Sequence, residues 1–241
     1  VSAIRSKKKS SMRLAVNAVK NKEANACVSA GNTGALMALS KIILKTIPGI
    51  DRPAICGSLP TKTSQFHMLD LGANVECSAK HLYEFAIMGS ALVQSLNLKT
   101  KPVIGLLNIG SEDFKGNETI KTAGQLIQKS NLNYAGFVEG DDMFNGKFDV
   151  IVTDGFAGNI ALKSIEGVAK VINHFIKKEF TRNIFTKLSA LISLPVMKSF
   201  KNKVDPRKYN GASLLGLQGI VVKSHGGADS LAFSQAVETA Y

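Results

Sequence analysis

Short apolar runs alternate with longer segments of helical spacing along most of this chain. Residues 26–30 (ACVSA), 66–70 (FHMLD), 102–108 (PVIGLLN), 137–139 (FVE), 149–154 (DVIVTD) and 219–222 (GIVV) read as strands. Helical spacing marks 35–39, 78–96, 117–129 and a long stretch from about residue 160. In 78–96 the apolar positions Leu82, Phe85, Ala86, Leu92 and Val93 recur close to the helical period. Strand, polar loop and helix repeat about five times, the pattern of a doubly wound α/β fold on a mostly parallel sheet. Ligands of such sheets bind beyond the carboxyl ends of the strands. The loops there are SAGNTG, DLGAN, NIGSEDFKGNE, EGDD and TDGFAGN.

Each loop has both a chemical and a local reading. In the first, Ser29, Gly31, Asn32, Thr33 and Gly34 sit between strand and helix. Glycines let backbone N–H groups approach a ligand, and a helix N-terminus favours an anion. The same residues serve equally as a Gly-rich turn with an Asn or Thr cap. The second loop offers Asp70 and Asn74. In the third, Lys115 suits an anion and Asn108 and Asn117 suit an oxygen, while Asn117 equally suits a helix cap. Asp154 and Asn159 repeat the device, with Lys163 one turn on as a solvated lysine.

Near the end, Lys223-Ser224-His225-Gly226-Gly227 follows a strand. Ser224, His225 and Asp229 lack the separation and the nucleophile elbow of a catalytic triad, and anion binding fits Lys223 and His225 better. If the sheet is parallel throughout, these two residues meet the SAGNTG loop, Asn108 and Lys115 on one edge, around one anion. His67, His81 and His174 are scattered and read as structural, with no metal-binding spacing.

Composition narrows the picture. The chain has 241 residues, 45% of them hydrophobic and 20% charged, as in a globular protein that buries a core. Cys27, Cys56 and Cys77 form no CxxC pair, which excludes a disulfide scaffold and suits a reducing cytosol. No apolar run approaches the roughly 18–20 residues of a membrane span. The opening VSAIRSKKKSSM reads as the interior of a longer protein.

The net charge of +12 is concentrated. Arg5, Lys7, Lys8, Lys9 and Arg13 have no acid among them, and seven cations in 174–203 face Glu179 alone. Such patches seek phosphate, an acidic protein, a membrane face or nucleic acid. Neither carries a nucleic-acid motif, and the second is apolar between its lysines, which argues against nucleic acid.

That second stretch departs from the strand–loop–helix grammar. From residue 160, Ile160, Leu162, Ile165, Val168, Val171, Ile172, Phe175 and Ile176 make an apolar surface too wide for a helix packed on one side. The expectation is a helical hairpin over 168–204, protruding from a single 1–241 domain and pairing in a twofold dimer. Phe180, Ile184, Leu188, Leu191 and Ile192 share a face, Pro195 is expected to break the helix, and Val196, Met197 and Phe200 continue the apolar side. Leu188, Leu191, Ile192, Leu194 and Met197 then form a tip rimmed by Arg182, Lys187, Lys198, Lys201 and Lys203, suited to an anionic membrane surface.

Taken in order, SAGNTGALMA, LDLGANVEC, LNIGSEDFKGNE, the stretch 136–167 and the stretch 205–229 resemble the PlsX-type phosphate acyltransferases of bacterial phospholipid synthesis. The resemblance covers nearly the whole chain and is weakest at 170–204. It implies a Rossmann-like three-layer α/β/α sandwich similar to isopropylmalate dehydrogenases and phosphotransacetylases, with the family's N-terminal part missing. It also implies acyl transfer from acyl carrier protein to inorganic phosphate, giving an acyl phosphate for a membrane acyltransferase. The implied protein is a homodimer without cofactor or metal, working in the cytosol at the membrane face. On the chemical reading of the loops, Asn108, Lys115 and His225 are the expected catalytic residues. A nicotinamide-dependent dehydrogenase on the same fold is the alternative, disfavoured because no GxGxxG follows a strand.

Overall fold

The computed structural model describes residues 9–241, so Arg5, Lys7 and Lys8 lie outside the described residues. Two compact units result, one comprising the chain up to Asn159 together with Arg207–Tyr241, the other Ile160–Pro206.

The first unit is an eight-stranded mixed sheet with helices. Its strands are β1 (Ala26–Ser29), β2 (Ala54–Pro60), β3 (Gln65–Leu69), β4 (Ile104–Leu107), β5 (Tyr134–Val138), β6 (Val150–Val152), β7 (Ala212–Leu215) and β8 (Ile220–Lys223). Their spatial order is β1-β8-β7-β2-β3-β6-β4-β5. The helices are α1 (Ser11–Lys20), α2 (Thr33–Leu44), α3 (Ala79–Ser95), α4 (Glu118–Gln128), α5 (Gly155–Thr181), α6 (Ile184–Val204) and α7 (Ser230–Ala240).

Consecutive strand residues are apolar because both sheet faces are covered. Val150, Ile151 and Val152 are all fully buried. On one face α3 contributes Leu82, Phe85 and Ala86 and α4 contributes Ala123 and Ile127, packed with Leu69, Ile104, Leu106 and Val150. Each large apolar side chain so buried adds about 1.5–3 kcal/mol. The helices start where capping side chains satisfy first-turn N–H groups: Asn32 for α2, Ser78 for α3, Asn117 for α4 and Asp229 for α7. Buried His67 on β3 accepts or donates a hydrogen bond at Ser58 Oγ through Nδ1 (3.1 Å).

The strand directions correct the parallel-sheet expectation. β1 runs parallel to β8, and β3, β6, β4 and β5 are mutually parallel. Between these sets, the pairings β8–β7, β7–β2 and β2–β3 are all antiparallel. Three reversals leave the two parallel sets pointing opposite ways. Loops after β1 and β8 and loops after β3, β4 and β6 therefore emerge at opposite ends of the strands, not on one edge. The strands responsible, β2 and β7, escaped the apolar-pattern reading. β2 (AICGSLP) carries Gly, Ser and Pro, and β7 (ASLL) is only four residues long.

The second unit is the α5–α6 helix pair. α5 begins at Gly155, earlier than the apolar pattern indicated. Pro195 does not break α6, which runs continuously from Ile184 to Val204. A proline removes one backbone donor and crowds the preceding turn. Here the helix on both sides keeps its form, so the break expected at Pro195 does not occur. Ile176 and Phe180 on α5, and Thr186, Ala190, Ser193 and Met197 on α6, are half-buried. On α6 these positions fall at intervals of three and four residues, so the partly sheltered stripe is small and polar rather than leucine-rich. Leu188, Leu191, Ile192, Leu194 and Val196 are exposed, Ile192 to 82%.

Candidate active site

The β1–β8 register places Ser29 opposite Lys223, two segments far apart in sequence. Ser224 N–H donates to Ser29 O across the pair (2.9 Å). Ser29 Oγ accepts from Gly31 N–H (3.2 Å), tightening the turn. Asn32 Oδ1 accepts from Ala35 N–H (3.0 Å), and Thr33 and Gly34 form the first turn of α2. The Asn or Thr capping reading thus holds for Asn32, and it leaves the Gly-rich turn at a helix N-terminus, where an anion is favoured.

The loop after β8 is organised by a residue that sequence inspection missed. Asn210 Oδ1 accepts from His225 N–H (2.9 Å), while its Nδ2 donates to Ser224 Oγ (2.9 Å) and Ala232 O (2.6 Å). Asn210 precedes β7, the unrecognised strand, so no pattern pointed to it. The Asn-Gly pair at 210–211, with Gly211 at φ +112°, was the available signal. Lys223 Nζ donates to Ser224 O. His225 Nδ1 accepts from Gly227 N–H (3.0 Å), so the neutral ring carries its proton on Nε2 as a donor. Arg207 pairs with Asp229 (2.9 Å), whose other oxygen caps α7. This end of the strands therefore gathers Ser29, Gly31, Asn32, Thr33, Gly34, Lys223 and His225.

The remaining candidates stand at the other end. Asp70 is fully buried directly after β3. Its Oδ1 accepts from the N–H groups of Ile55 (2.9 Å), Gly72 (3.3 Å) and Ala73 (3.1 Å). Its Oδ2 accepts from Asn74 N–H (2.7 Å) and Asn74 Nδ2 (2.9 Å). Burial holds this carboxyl above its ordinary range, and the donors of Ile55, Ala73 and Asn74 offset only part of that rise. Asn74 Nδ2 also reaches Pro53 O (2.8 Å), and Asn74 O accepts from Gly155 N–H (2.8 Å). Asp154 caps the first turn of α5 through Ala157 N–H (2.7 Å), and Asn159 packs over Gly72. Asp70, Asn74, Asp154 and Asn159 thus lock the loops after β3 and β6 to one another.

The Asn108–Asn117 loop is similarly self-satisfied. Asn108 Nδ2 donates to Lys115 O (3.1 Å), and its Oδ1 accepts from Ile109 N–H (2.9 Å). Lys115 Nζ pairs with Glu112 (3.0 Å), and Asn117 Oδ1 caps α4. A cleft of ≈ 630 Å³ opens beside Asn74, lined by Arg52, Cys77, Ser78 and His81 among others. His81 is part of a capping box, its Nδ1 accepting from Ser78 N–H (3.1 Å). Burial pushes the Cys77 thiol up to about 12 and raises Cys27 and Cys56 as well. Burial thus favours the thiol form of all three at neutral pH.

The family model described as "Fatty acid synthesis protein" matches residues 1–241. A phosphate acyltransferase of Methylococcus capsulatus is 59% identical over 238 residues, 99% of this chain and 70% of that protein. Those of Alkalilimnicola ehrlichii (58% over 238 residues) and Vesicomyosocius okutanii (60% over 239 residues) match with the same two shares. Among solved structures, a phosphotransacetylase from Streptococcus pyogenes superposes with a TM-score of 0.63 at 17% identity, over 95% of this chain and 65% of that one. The EutD phosphotransacetylase from Staphylococcus aureus gives 0.59 at 17% identity, over 95% and 67%. These neighbours share the Rossmann-like α/β fold, and the matches give no support to the dehydrogenase alternative.

The close approach of α5 to the Asp70 loop is open to direct test. A Cβ on Gly158 would stand 2.0 Å from Asp70 O, a backbone atom with no room to yield. Gly158→Ala should therefore destabilise the protein by about 2 kcal/mol or more in urea denaturation. Gly167→Ala, on the same helix with nothing within 4 Å of the new methyl, should instead add about 0.5–1 kcal/mol.

Proposed function

The chain belongs to the fatty acid synthesis protein family, alongside phosphate acyltransferases, and from that premise we propose that it transfers an acyl group from acyl carrier protein to inorganic phosphate. The acyl phosphate so formed feeds a membrane acyltransferase of phospholipid synthesis. The observation that carries this reading is the identity of 57–60% to phosphate acyltransferases over 99% of the chain.

The chemistry asks for few groups. A phosphate oxygen attacks the thioester carbonyl carbon, the C–S bond breaks, and the departing sulfur takes a proton. Phosphate is the nucleophile, so the protein has to hold it, orient it and donate to the carbonyl oxygen as charge develops there. We assign the holding role to the β1–β8 loops. Their donors are the turn Gly31-Asn32-Thr33-Gly34 at the α2 N-terminus, the Lys223 ammonium and the Nε2–H of His225. Asp70, Asn74, Asp154 and Asn159 spend their polar atoms on one another and set the shape of the opposite loops.

His225→Ala and Lys223→Ala should each raise the phosphate KM at least about tenfold, with acyl phosphate trapped as hydroxamate. Lys115→Ala, at the other end of the strands and already paired with Glu112, should change it less than about twofold. Equal effects of the three would disperse the assigned site.

The hairpin supports attachment to an anionic bilayer and a twofold dimer. Among the described residues no helix is long and apolar enough to cross a membrane. Leu188, Leu191, Ile192 and Leu194 are nonetheless exposed to 52–82%, and Lys187 and Lys198 border them with Met197 half-buried between. Exposed apolar side chains in a group mark an interaction surface. Each Leu-sized group inserted contributes about 1.5–3 kcal/mol and each nearby lysine about 1 kcal/mol. Wide exposure of Val168, Val171, Ile172 and Phe175 on α5 provides the apolar face for a symmetry mate. Leu191→Glu/Leu194→Glu should abolish sedimentation with anionic vesicles and leave the rate on soluble substrate intact; undiminished sedimentation would free the tip of this role.

A further inference from the structure

Residues 207–211 lie against α7. A Cβ on Gly211, at φ +112°, would stand 2.8 Å from Ala236 Cα, a backbone atom of that helix. Arg207 pairs with Asp229, the N-cap of α7 (2.9 Å). Between them in sequence, half-buried Asn210 turns its amide onto three groups. Its Oδ1 accepts from His225 N–H (2.9 Å), and its Nδ2 donates to Ser224 Oγ (2.9 Å) and Ala232 O (2.6 Å). The two backbone partners fix which end of the amide is which, since one only donates and the other only accepts. The loop between β8 and α7 is thereby clamped at its first residues and at the first turn of the helix that follows. Inside the clamp stand Gly226 and Gly227, whose backbones have wide freedom. A Cβ on Gly226 would stand 3.6 Å from Ala30 O, so this loop runs beside the SAGNTG turn.

We propose that Asn210 is a positioning residue for phosphate: its amide holds the His225 backbone so that the ring Nε2–H stays aimed at the anion on the β1–β8 loops. The proposal rests on the assignment of phosphate to those loops and names a residue that acts on it only through His225. Two links carry position from amide to ring. Asn210 fixes the His225 backbone nitrogen, and Gly227 N–H on Nδ1 (3.0 Å) fixes the turn of the ring and leaves Nε2 as the donor. The clamp needs an amide, because one atom accepts from His225 while the other donates to Ala232 O. Alanine does neither, and an aspartate carboxylate has no proton to donate. Without the clamp the loop is ordered only at the expense of phosphate binding, which weakens affinity. By linkage the coupling also runs in reverse, so phosphate on the ring stabilises the clamp.

The test is a double-mutant cycle on the Kd for inorganic phosphate, in the unmodified chain, Asn210→Ala, His225→Ala and the double variant. Binding is followed by NMR at the backbone amides of Gly31–Gly34. No thioester enters, so the outcome stands apart from whether an acyl group is transferred. Asn210→Ala should weaken phosphate binding about tenfold in the unmodified chain, and less than about twofold on top of His225→Ala. A residue with a general structural role would weaken both backgrounds equally. In Asn210→Ala the long-range 1H–15N pattern of the His225 ring should change from the single Nε2–H tautomer to a mixture of both, with His81 unchanged. Unchanged phosphate affinity in Asn210→Ala, an equal loss in both backgrounds or an unaltered His225 ring pattern overturns the proposal. Undiminished phosphate affinity in His225→Ala overturns the site assignment, and the proposal with it. Where Asn210→Ala does not fold, amide hydrogen exchange in the unmodified chain decides. Saturating phosphate should slow exchange at His225 N–H at least about tenfold and leave Gly155 N–H, at the opposite end of the sheet, unchanged. Equal exchange at His225 with and without phosphate overturns the proposal.

Discussion

Parallel pairing of β1 with β8 is the constraint on which the proposed chemistry depends. The SAGNTG turn and the Lys223–His225 loop come from opposite ends of the sequence. Neither makes an anion site alone. The register that sets Ser29 against Lys223, fixed by Ser224 N–H on Ser29 O, makes them one surface with a helix N-terminus in it. Asn210 adds the second fastening, holding His225 by its backbone and Ser224 by its side chain. A short loop held at both ends loses little further freedom on binding, and preorganised donors are what developing negative charge requires.

The opposite end of the sheet is organised by a different interaction. Five donors converge on the Asp70 carboxylate, and none of them is a charged side chain. A buried carboxylate is tolerated when hydrogen bonds replace its water. The consequence is a rigid DLGAN turn to which Gly155 and Gly158 bind closely, so the start of α5 is fixed to the loop after β3. The two ends therefore do different work. One brings together the loops assigned to phosphate, and the other consumes its polar atoms in fixing backbone.

Much of this was legible in the residues. The strands at 66–70 and 149–154, the helices at 78–96 and 117–129, and the capping use of Asn32 and Asn117 follow from apolar period and cap chemistry. What escaped were β2 and β7. A strand of seven containing Gly, Ser and Pro, and a strand of four after an Asn-Gly turn, give no period to read. Because those two strands carry all three antiparallel pairings, missing them reversed the placement of Asn108 and Lys115 relative to His225. Pro195 misled for the opposite reason: a local rule against helix was overridden by twenty residues of helical context. The role of Asn210 depends on strand direction and loop packing, which no local pattern encodes.

The account's central claim is that inorganic phosphate sits on the loops after β1 and β8. Long-range 1H–15N NMR of the histidine rings during a phosphate titration addresses it without catalysis. The account predicts a saturable shift of the His225 ring nitrogens, lost in Lys223→Ala, with the resonances of His81 unmoved. A shift at His81 with His225 silent would place the phosphate in the cleft beside Asn74 and contradict the account.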